Sequence, residues 1–313
     1  MAAISVIIPA RDEAGSIETT IREVGEAFED SPHDCEIIVV NDASRDGTAA
    51  LARAAGACVI SHPTTKGYGN ALLTGIRHAR FPWIAITDAD GTYPVDRLPE
   101  FLDRALDEGL DMVVGARQWE HFTEPLGKRA LRAAFGGLIR QVVGEPIPDI
   151  NSGLRVIRRE LLDRFAPVLS GGFSFTTSLT IIAFQTNHHV GYVPVGYFPR
   201  KGASHVRLGR DSLRALQIVV MTIILFNPIK LYLAQALAVL AASLGAGVLA
   251  IVFPALQAAL SLACGGIWTA NIILALGFLA VRHQLNLAGI DLPRRGYMPE
   301  VVAVDTESEF GED

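Results

Sequence analysis

The stretch WIAITDADGTYP, Trp83 to Pro94, passes from an apolar run into two carboxylates one residue apart, Asp88 and Asp90. A short β-branched and aromatic run that stops at Asp-Gly reads as a strand entering a turn. Two acids this close repel one another unless a cation or hydrogen-bond donors lie between them. Carboxylate oxygens at such a turn suit a hard divalent cation, Mg²⁺ or Mn²⁺. The same pair read only as turn chemistry would cap the loop and hold nothing.

Working outward, apolar runs and helical stretches alternate on both sides. ISVIIPA (Ile4–Ala10), EIIVVND (Glu36–Asp42), ACVIS (57–61) and DMVVGA (111–116) read as further strands. GSIETTIREVGEAFED, RDGTAALARAAG, GNALLTGIRHA and PVDRLPEFLDRALDEG read as the helices between them, with Gly56 ending the second. Strands apolar on both faces predict a parallel sheet covered by helices on each side. In such sheets ligands gather at the carboxyl ends of the strands. Asp42 and the Asp88/Asp90 pair both fall at predicted strand ends and are expected to face one crevice.

The chain has 313 residues, 50% of them hydrophobic and 19% charged. The mean hydropathy, +0.32, is high, and the apolar excess is concentrated. Leu231 to Val281 contains no Asp, Glu, Lys, Arg or His. One helix of that length would extend about 75 Å, more than twice the ~30 Å hydrocarbon core. Pro254 interrupts it, so two spans are predicted, Leu231–Phe253 and Ala255–Val281. The alternative is a buried helical hairpin, but helices in water keep a polar stripe. Lys230 before the run, with Arg282, His283, Arg294 and Arg295 after it, places both flanks in the cytoplasm by the positive-inside rule.

Ahead of the spans, VRLGRDSLRALQIVVMTIILF (Val206–Phe226) sets Arg207, Arg210 and Arg214 at helical spacing opposite Leu213, Leu216, Val220, Ile223 and Ile224. That pattern predicts a helix lying in the membrane interface. MAAISVIIPARDE lacks the basic leader and long apolar run of a signal peptide. Cys35, Cys58 and Cys264 show no disulfide or zinc spacing. No basic stripe with interleaved aromatics suggests nucleic-acid binding. Part of the net charge of −6 belongs to an acidic tail expected to be disordered. The histidines, His188 and His189 included, show no metal-ligand pattern; those two read as a solvated helix end.

Four motifs, IIPARDEAGSI, VVNDASRDGT, KGYGNALLTGI and ITDADGTYP, occur in this order beside predicted strands and helices. Together they resemble the family 2 glycosyltransferases, which have the GT-A (Rossmann-like) nucleotide-sugar-binding fold. GARQW, GKRAL, PDINSGLRVIRRE and PRKGASHVR, followed by the apolar hairpin, are similar to the dolichol-phosphate mannosyltransferase and polyprenyl-phosphate glycosyltransferase branch. The resemblance implies an α/β GT-A catalytic domain over 1–205, an amphipathic interface helix over 206–228, a two-helix transmembrane hairpin over 229–283 and an acidic tail over 284–313. The membrane would be the cell (inner) membrane, crossed more than once, with the catalytic domain cytoplasmic.

It also implies roles residue by residue. Pro9, Arg11 and Glu13 occupy the first-strand loop that meets the nucleoside, and Val40 and Asp42 the second-strand segment near base and ribose. Asp88, Ala89 and Asp90 match the nucleotide motif, with Asp88 and Asp90 as metal ligands. Arg117 and Arg129 match cations for the diphosphate or the acceptor phosphate. Arg200, Ser204 and His205 match the segment that grips the donor phosphates. Asp149 would orient the acceptor or act as a base, with Asn151 as the alternative. The chain departs from the family pattern at Arg11-Asp12-Glu13, where Tyr-Asn-Glu is common, and at Asn41 and His205, where Asp and Lys are usual.

The implied partners are a nucleoside diphosphate sugar (GDP-mannose or UDP-glucose type), a polyprenyl-phosphate lipid and the membrane; self-association is compatible with all of these. Two rival readings are a family 2 enzyme with a hydroxyl acceptor, on a polysaccharide or protein, and a non-catalytic membrane scaffold of the same fold. A hydroxyl acceptor needs a base to remove its proton, whereas a lipid phosphate is already an anion and attacks directly, with inversion.

Overall fold

The computed structural model describes residues 1–118, 147–172, 174–198, 228–253 and 257–287. The chain divides into two compact units; the described residues up to 198 belong to the first and those from 228 to the second.

The first unit is built on seven strands: β1 (Ala3–Ala10), β2 (Asp34–Asn41), β3 (Cys58–Ser61), β4 (Trp83–Ile86), β5 (Met112–Arg117), β6 (Arg155–Arg158) and β7 (Val190–Val195). Their order across the sheet is β3-β2-β1-β4-β6-β5-β7. All five strands expected from the sequence are present, and β1 reads as anticipated, buried along nearly its whole length. The sheet is not wholly parallel, however. Strand β6 runs antiparallel to both β4 and β5, while the other neighbours pair parallel. The expectation of an all-parallel sheet is corrected to a mixed one. A single reversed strand inserted between β4 and β5 still leaves both faces covered, so the apolar pattern of its neighbours is unchanged.

The helices are α1 (Ile17–Glu29), α2 (Thr48–Ala54), α3 (Tyr68–His78), α4 (Leu98–Asp107), α5 (Arg159–Phe165) and α6 (Phe175–Gln185). On one face, Ile17, Ile21, Val24 and Phe28 of α1 and Leu98, Phe101, Leu102 and Ala105 of α4 pack on Ile4, Val6, Ile8, Ala85 and Val156. On the other, α3 lies on β1 and β2. Gly56 does end α2. It takes φ +90°, its N–H donates to Arg53 O at 3.0 Å, and the Ala57 N–H donates to Ala52 O at 3.1 Å. Left-handed glycine with that pair of bonds is a Schellman cap.

The first turn of α3 meets the 170–172 segment backbone to backbone, Asn70 N–H donating to Gly171 O at 3.0 Å. A Cβ on Gly69 would sit 2.2 Å from Ser170 O and 2.7 Å from the Gly171 carbonyl carbon. Backbone cannot swing away as a side chain can, so Gly69→Ala should cost about 1–3 kcal/mol. Gly25, in the middle of α1, has nothing within 4 Å of its Cβ position. Gly25→Ala should raise stability by up to about 1 kcal/mol through helix propensity. Thermal unfolding followed by tryptophan fluorescence should move the two variants in opposite directions.

The second unit contains α7 (Pro228–Val252) and α8 (Gln257–Leu287), which pack on each other. They bracket the break expected at Pro254. Within α8, Leu260–Gly277 is long and apolar enough to cross a membrane, with a hydropathy of 1.6 and 0% of the window buried. In α7, Ala236–Leu249 is a shorter apolar stretch. The expected interface helix lies outside the described residues except for Pro228, which begins α7, and so does the acidic tail beyond residue 287; residues 284–287 continue α8.

Candidate active site

Strand β4 is buried throughout and releases the chain at Asp88 on the carboxyl edge of the sheet. Asp90 is 5% exposed. Its Oδ1 accepts from the Thr92 N–H at 3.1 Å and the Thr92 hydroxyl at 2.7 Å, and Gly91 follows at φ +71°. One oxygen of Asp90 thus does the turn chemistry that the sequence also allowed. Asp88 is half-buried. Its Oδ1 accepts from the Tyr68 hydroxyl at 3.0 Å, and a Cβ on Gly153 would fall 2.8 Å from Oδ2. Only glycine at 153 lets the carboxylate lie so close to the main chain.

Asp42, at the end of β2, is engaged on both oxygens. Oδ1 is 2.8 Å from His62 Nδ1 and accepts from the Lys66 N–H at 2.7 Å; Oδ2 accepts from the Gly67 N–H at 2.8 Å. Burial opposes its charge, yet the Lys66 amide and His62 outweigh that and hold its pKa below the ordinary carboxylate value. The imidazole continues to Thr74 Oγ1 through Nε2 at 2.9 Å. Asp42 therefore anchors the turn that starts α3, and α3 delivers Tyr68 to Asp88. Val40 is wholly buried, facing α3 beside Gly75. Both side chains contact the protein itself, and Asp42 Oδ2, with a single bond, keeps room to accept another.

In the loop after β1, Asp12 takes φ +54°. Its Oδ1 accepts from the Arg45 N–H at 2.7 Å and its own N–H donates to Ser44 Oγ at 3.0 Å. The Glu13 N–H donates to Thr48 Oγ1 at 2.9 Å, and Glu13 O caps the first amides of α1. These bonds clasp the first-strand and second-strand loops together. Arg11 stays largely open, with Asp12 3.8 Å away, and Pro9, the last residue but one of β1, pairs with Val40 of β2.

Across the edge, β5 ends at Arg117. Its Nε and NH2 donate to Asp149 Oδ2 at 2.6 Å and Oδ1 at 2.9 Å, a bidentate fork. Burial works against both charges. The pairing outweighs it, raising the Arg117 pKa and lowering that of Asp149. The same guanidinium lies 5.3 Å from the Tyr197 ring, which meets Tyr93 edge-on at 5.4 Å. The Tyr93 hydroxyl in turn accepts from the Gly153 N–H at 2.8 Å. Asn151, the alternative to Asp149, accepts from Thr177 Oγ1 at 2.7 Å through its side-chain oxygen.

Asp88, Arg117 and Asp149 are thus linked through Gly153, Tyr93 and Tyr197, with Asp90 two residues beyond Asp88 in the same turn, while Pro9, Arg11, Glu13 and Asp42 lie on the β1–β2 side. Ala89 is buried between the two acids. Arg129, Arg200, Ser204 and His205 lie outside the described residues. Sequence reasoning did not single out Tyr68, Tyr93, Tyr197 or His62. The first two stand inside the quoted motifs, but a lone aromatic there reads as core. His188, expected on a solvated helix end, is half-buried after α6 with Nδ1 2.7 Å from Thr186 Oγ1.

Among the described residues no group of three His, Cys, Asp or Glu could hold a metal. Two carboxylates alone still fit Mg²⁺ or Mn²⁺, which characteristically take one or two protein oxygens and fill the remainder with water and substrate phosphate.

The family model for Glycosyl transferase family 2 matches residues 5–165. The low-salt glycan biosynthesis hexosyltransferase Agl6 of Haloferax volcanii is 29% identical over 230 residues, 70% of this chain and 53% of that one. The dolichyl-phosphate hexose transferase of the same organism is 34% identical over 166 residues, 53% of this chain and 71% of its own. An undecaprenyl-phosphate 4-deoxy-4-formamido-L-arabinose transferase of Enterobacter sp. is 31% identical, covering 55% and 56%. The chain spans about half the length of the first and third of these relatives. Among solved structures, glucosyl-3-phosphoglycerate synthase from Mycobacterium tuberculosis, in complex with Mn²⁺, UDP and glucosyl-3-phosphoglycerate, superposes with a TM-score of 0.57 at 24% identity. It covers 71% of this chain and 80% of its own, a likeness of fold.

A mixed α/β sheet with paired acids at the end of its central strand defines a protein of the GT-A kind, as the sequence led us to expect. The chain belongs to glycosyl transferase family 2, and its curated relatives include transferases named for dolichyl and undecaprenyl phosphate.

Proposed function

We propose that the protein transfers a sugar from a nucleoside diphosphate sugar to a polyprenyl phosphate at the cytoplasmic leaflet of the cell membrane, with inversion. The observation that carries this reading is the meeting of Asp88 with the 149–153 segment. There an acid pair suited to a metal–diphosphate borders a cation, Arg117, suited to a second phosphate. A Mg²⁺ or Mn²⁺ ion on Asp88 and Asp90 would supply Lewis-acid stabilisation of the diphosphate leaving group.

The other steps fall to the chain's own residues. Arg11, Asp42 and the main chain at the ends of β1 and β2 meet the nucleoside, with the Val40 side chain packed behind them. Arg117, with Arg129, Arg200, Ser204 and His205, offsets the repulsion between a diphosphate and an incoming phosphate monoester. The Arg117 fork keeps Asp149 ionised and occupied, which supports an orienting role over that of a base. A phosphate acceptor arrives as an anion and needs no base.

The apolar helices support the lipid half of the reading. Leu262 and Ile273 are 78% and 63% exposed on α8, surface that hydrocarbon would cover. With α7 as the second span, the hairpin would tether the chain to the membrane that carries the acceptor lipid.

The test incubates the purified chain in detergent with a short polyprenyl phosphate, Mn²⁺ and a panel of nucleotide sugars, followed by mass spectrometry of the lipid. A lipid-linked sugar is the expected product and identifies the donor. Free sugar alone would mean hydrolysis, and no turnover would leave the scaffold reading in its place.

A further inference from the structure

Under the 149–153 segment lies a cation that none of these roles uses. Arg155, on the reversed strand β6, is the largest fully buried side chain among the described residues, at 0% exposure. Its Nε donates to Ser152 O at 2.9 Å, NH2 to Ile150 O at 2.8 Å, and NH1 to Thr180 Oγ1 at 2.6 Å, with Met112 Sδ at 3.6 Å. All these acceptors are neutral, and among the described residues no carboxylate lies in ion-pair distance. Burying a guanidinium this way costs several kcal/mol before any hydrogen bond offsets it. A position needing only volume would be filled by Leu or Met without that cost.

What the charge achieves is visible in the main chain. In a trans peptide the C=O of one residue and the N–H of the next point in opposite directions. The carbonyls of Ile150 and Ser152 point down to Arg155. The N–H groups of Asn151 and Gly153 therefore point up, to Asp149 Oδ1 at 3.0 Å and to the Tyr93 hydroxyl at 2.8 Å. From the other side, the Thr180 hydroxyl donates to Thr176 O at 2.9 Å, and the Thr177 hydroxyl donates to the Asn151 side-chain oxygen.

We propose that Arg155 is a positioning residue for the transfer. Its buried fork turns the 150–151 and 152–153 peptides so that Asp149 is held for the Arg117 fork and Gly153 lies flat under Asp88. Its catalytic meaning rests on the function proposed above; its effect on the main chain does not. Lys in its place keeps the charge and most of the reach, but its single ammonium head cannot span three acceptors set out for a planar fork.

The test compares Arg155→Lys and the near-isosteric Thr180→Val with the parent, all as the full chain in detergent. Turnover is measured per nucleotide-binding site, and amide hydrogen exchange is followed over 149–153. Arg155→Lys should lower kcat on the order of tenfold, less than the roughly hundredfold that a displacement of about 1 Å can cost. The donor KM should rise by less than kcat falls, since Asp88 keeps its bond from Tyr68 while Asp149 loses its hold on the Arg117 fork. Exchange at Asn151 and Gly153 should quicken, and Thr180→Val should show the same pattern more weakly. A variant with a lower melting temperature but unchanged kcat per site would reduce Arg155 to a structural residue and overturn the proposal. Were the parent itself unable to glycosylate polyprenyl phosphate, the function reading would fall alone. Exchange would then decide Arg155, with unchanged protection in both variants overturning it.

Discussion

Asp90→Asn should abolish Mn²⁺-dependent transfer, lowering kcat by on the order of 10²–10³ or more, the scale of losing one preorganised electrostatic partner of a developing charge. The asparagine variant is the informative one. Asp90 Oδ1 also accepts both bonds from Thr92, and Asn can keep accepting them through its side-chain oxygen. Alanine would lose the turn as well, at about 1 kcal/mol for each bond forgone. A drop in activity at constant melting temperature, with weaker Mn²⁺ binding by electron paramagnetic resonance, separates the metal role from the turn role. Unchanged turnover in Asp90→Asn would remove Asp90 from the ligand set. Asp88→Asn is expected to behave alike.

The second large effect concerns Arg117 and Asp149, whose side chains are 15% and 8% exposed. Arg117→Met leaves a buried carboxylate without its fork and should destabilise the chain by about 3–5 kcal/mol. Asp149→Leu takes the carboxylate fork from the guanidinium and should also destabilise the chain. The double variant Arg117→Met/Asp149→Leu removes both charges together and should regain much of the lost stability, because neither charge of the pair is then left buried without the other. It should not regain transfer, since the phosphate-facing cation is gone. Melting temperatures and turnover across the four proteins check this. A double variant with restored turnover would show that the pair serves folding alone.

Strands β1 to β5 were legible because each is an uninterrupted apolar run bounded by turn residues, and the helices between them because their apolar positions repeat at helical spacing. Asp88 and Asp90 were legible for a similar local reason, lying two residues apart at the end of such a run. The Arg117–Asp149 fork was not, since its partners stand 32 residues apart and an arginine in isolation reads as surface. Nor was the engagement of Asp42, whose His62 lies 20 residues on. The reversed strand β6 escaped for two reasons. Its four residues, RVIR, begin and end in arginine, and the direction of a strand leaves no mark on an alternating pattern.

The amino-acid order by itself determined where the chain is apolar, where it turns, and which residues carry acid or base. Those properties depend on neighbours a few positions away. Only the tertiary structure decided which way β6 runs, that Arg155 lies in the core rather than on the surface, and which carboxylates already have partners. Those outcomes depend on which distant groups arrive within about 3 Å of each other, and burial then makes every unpaired charge costly.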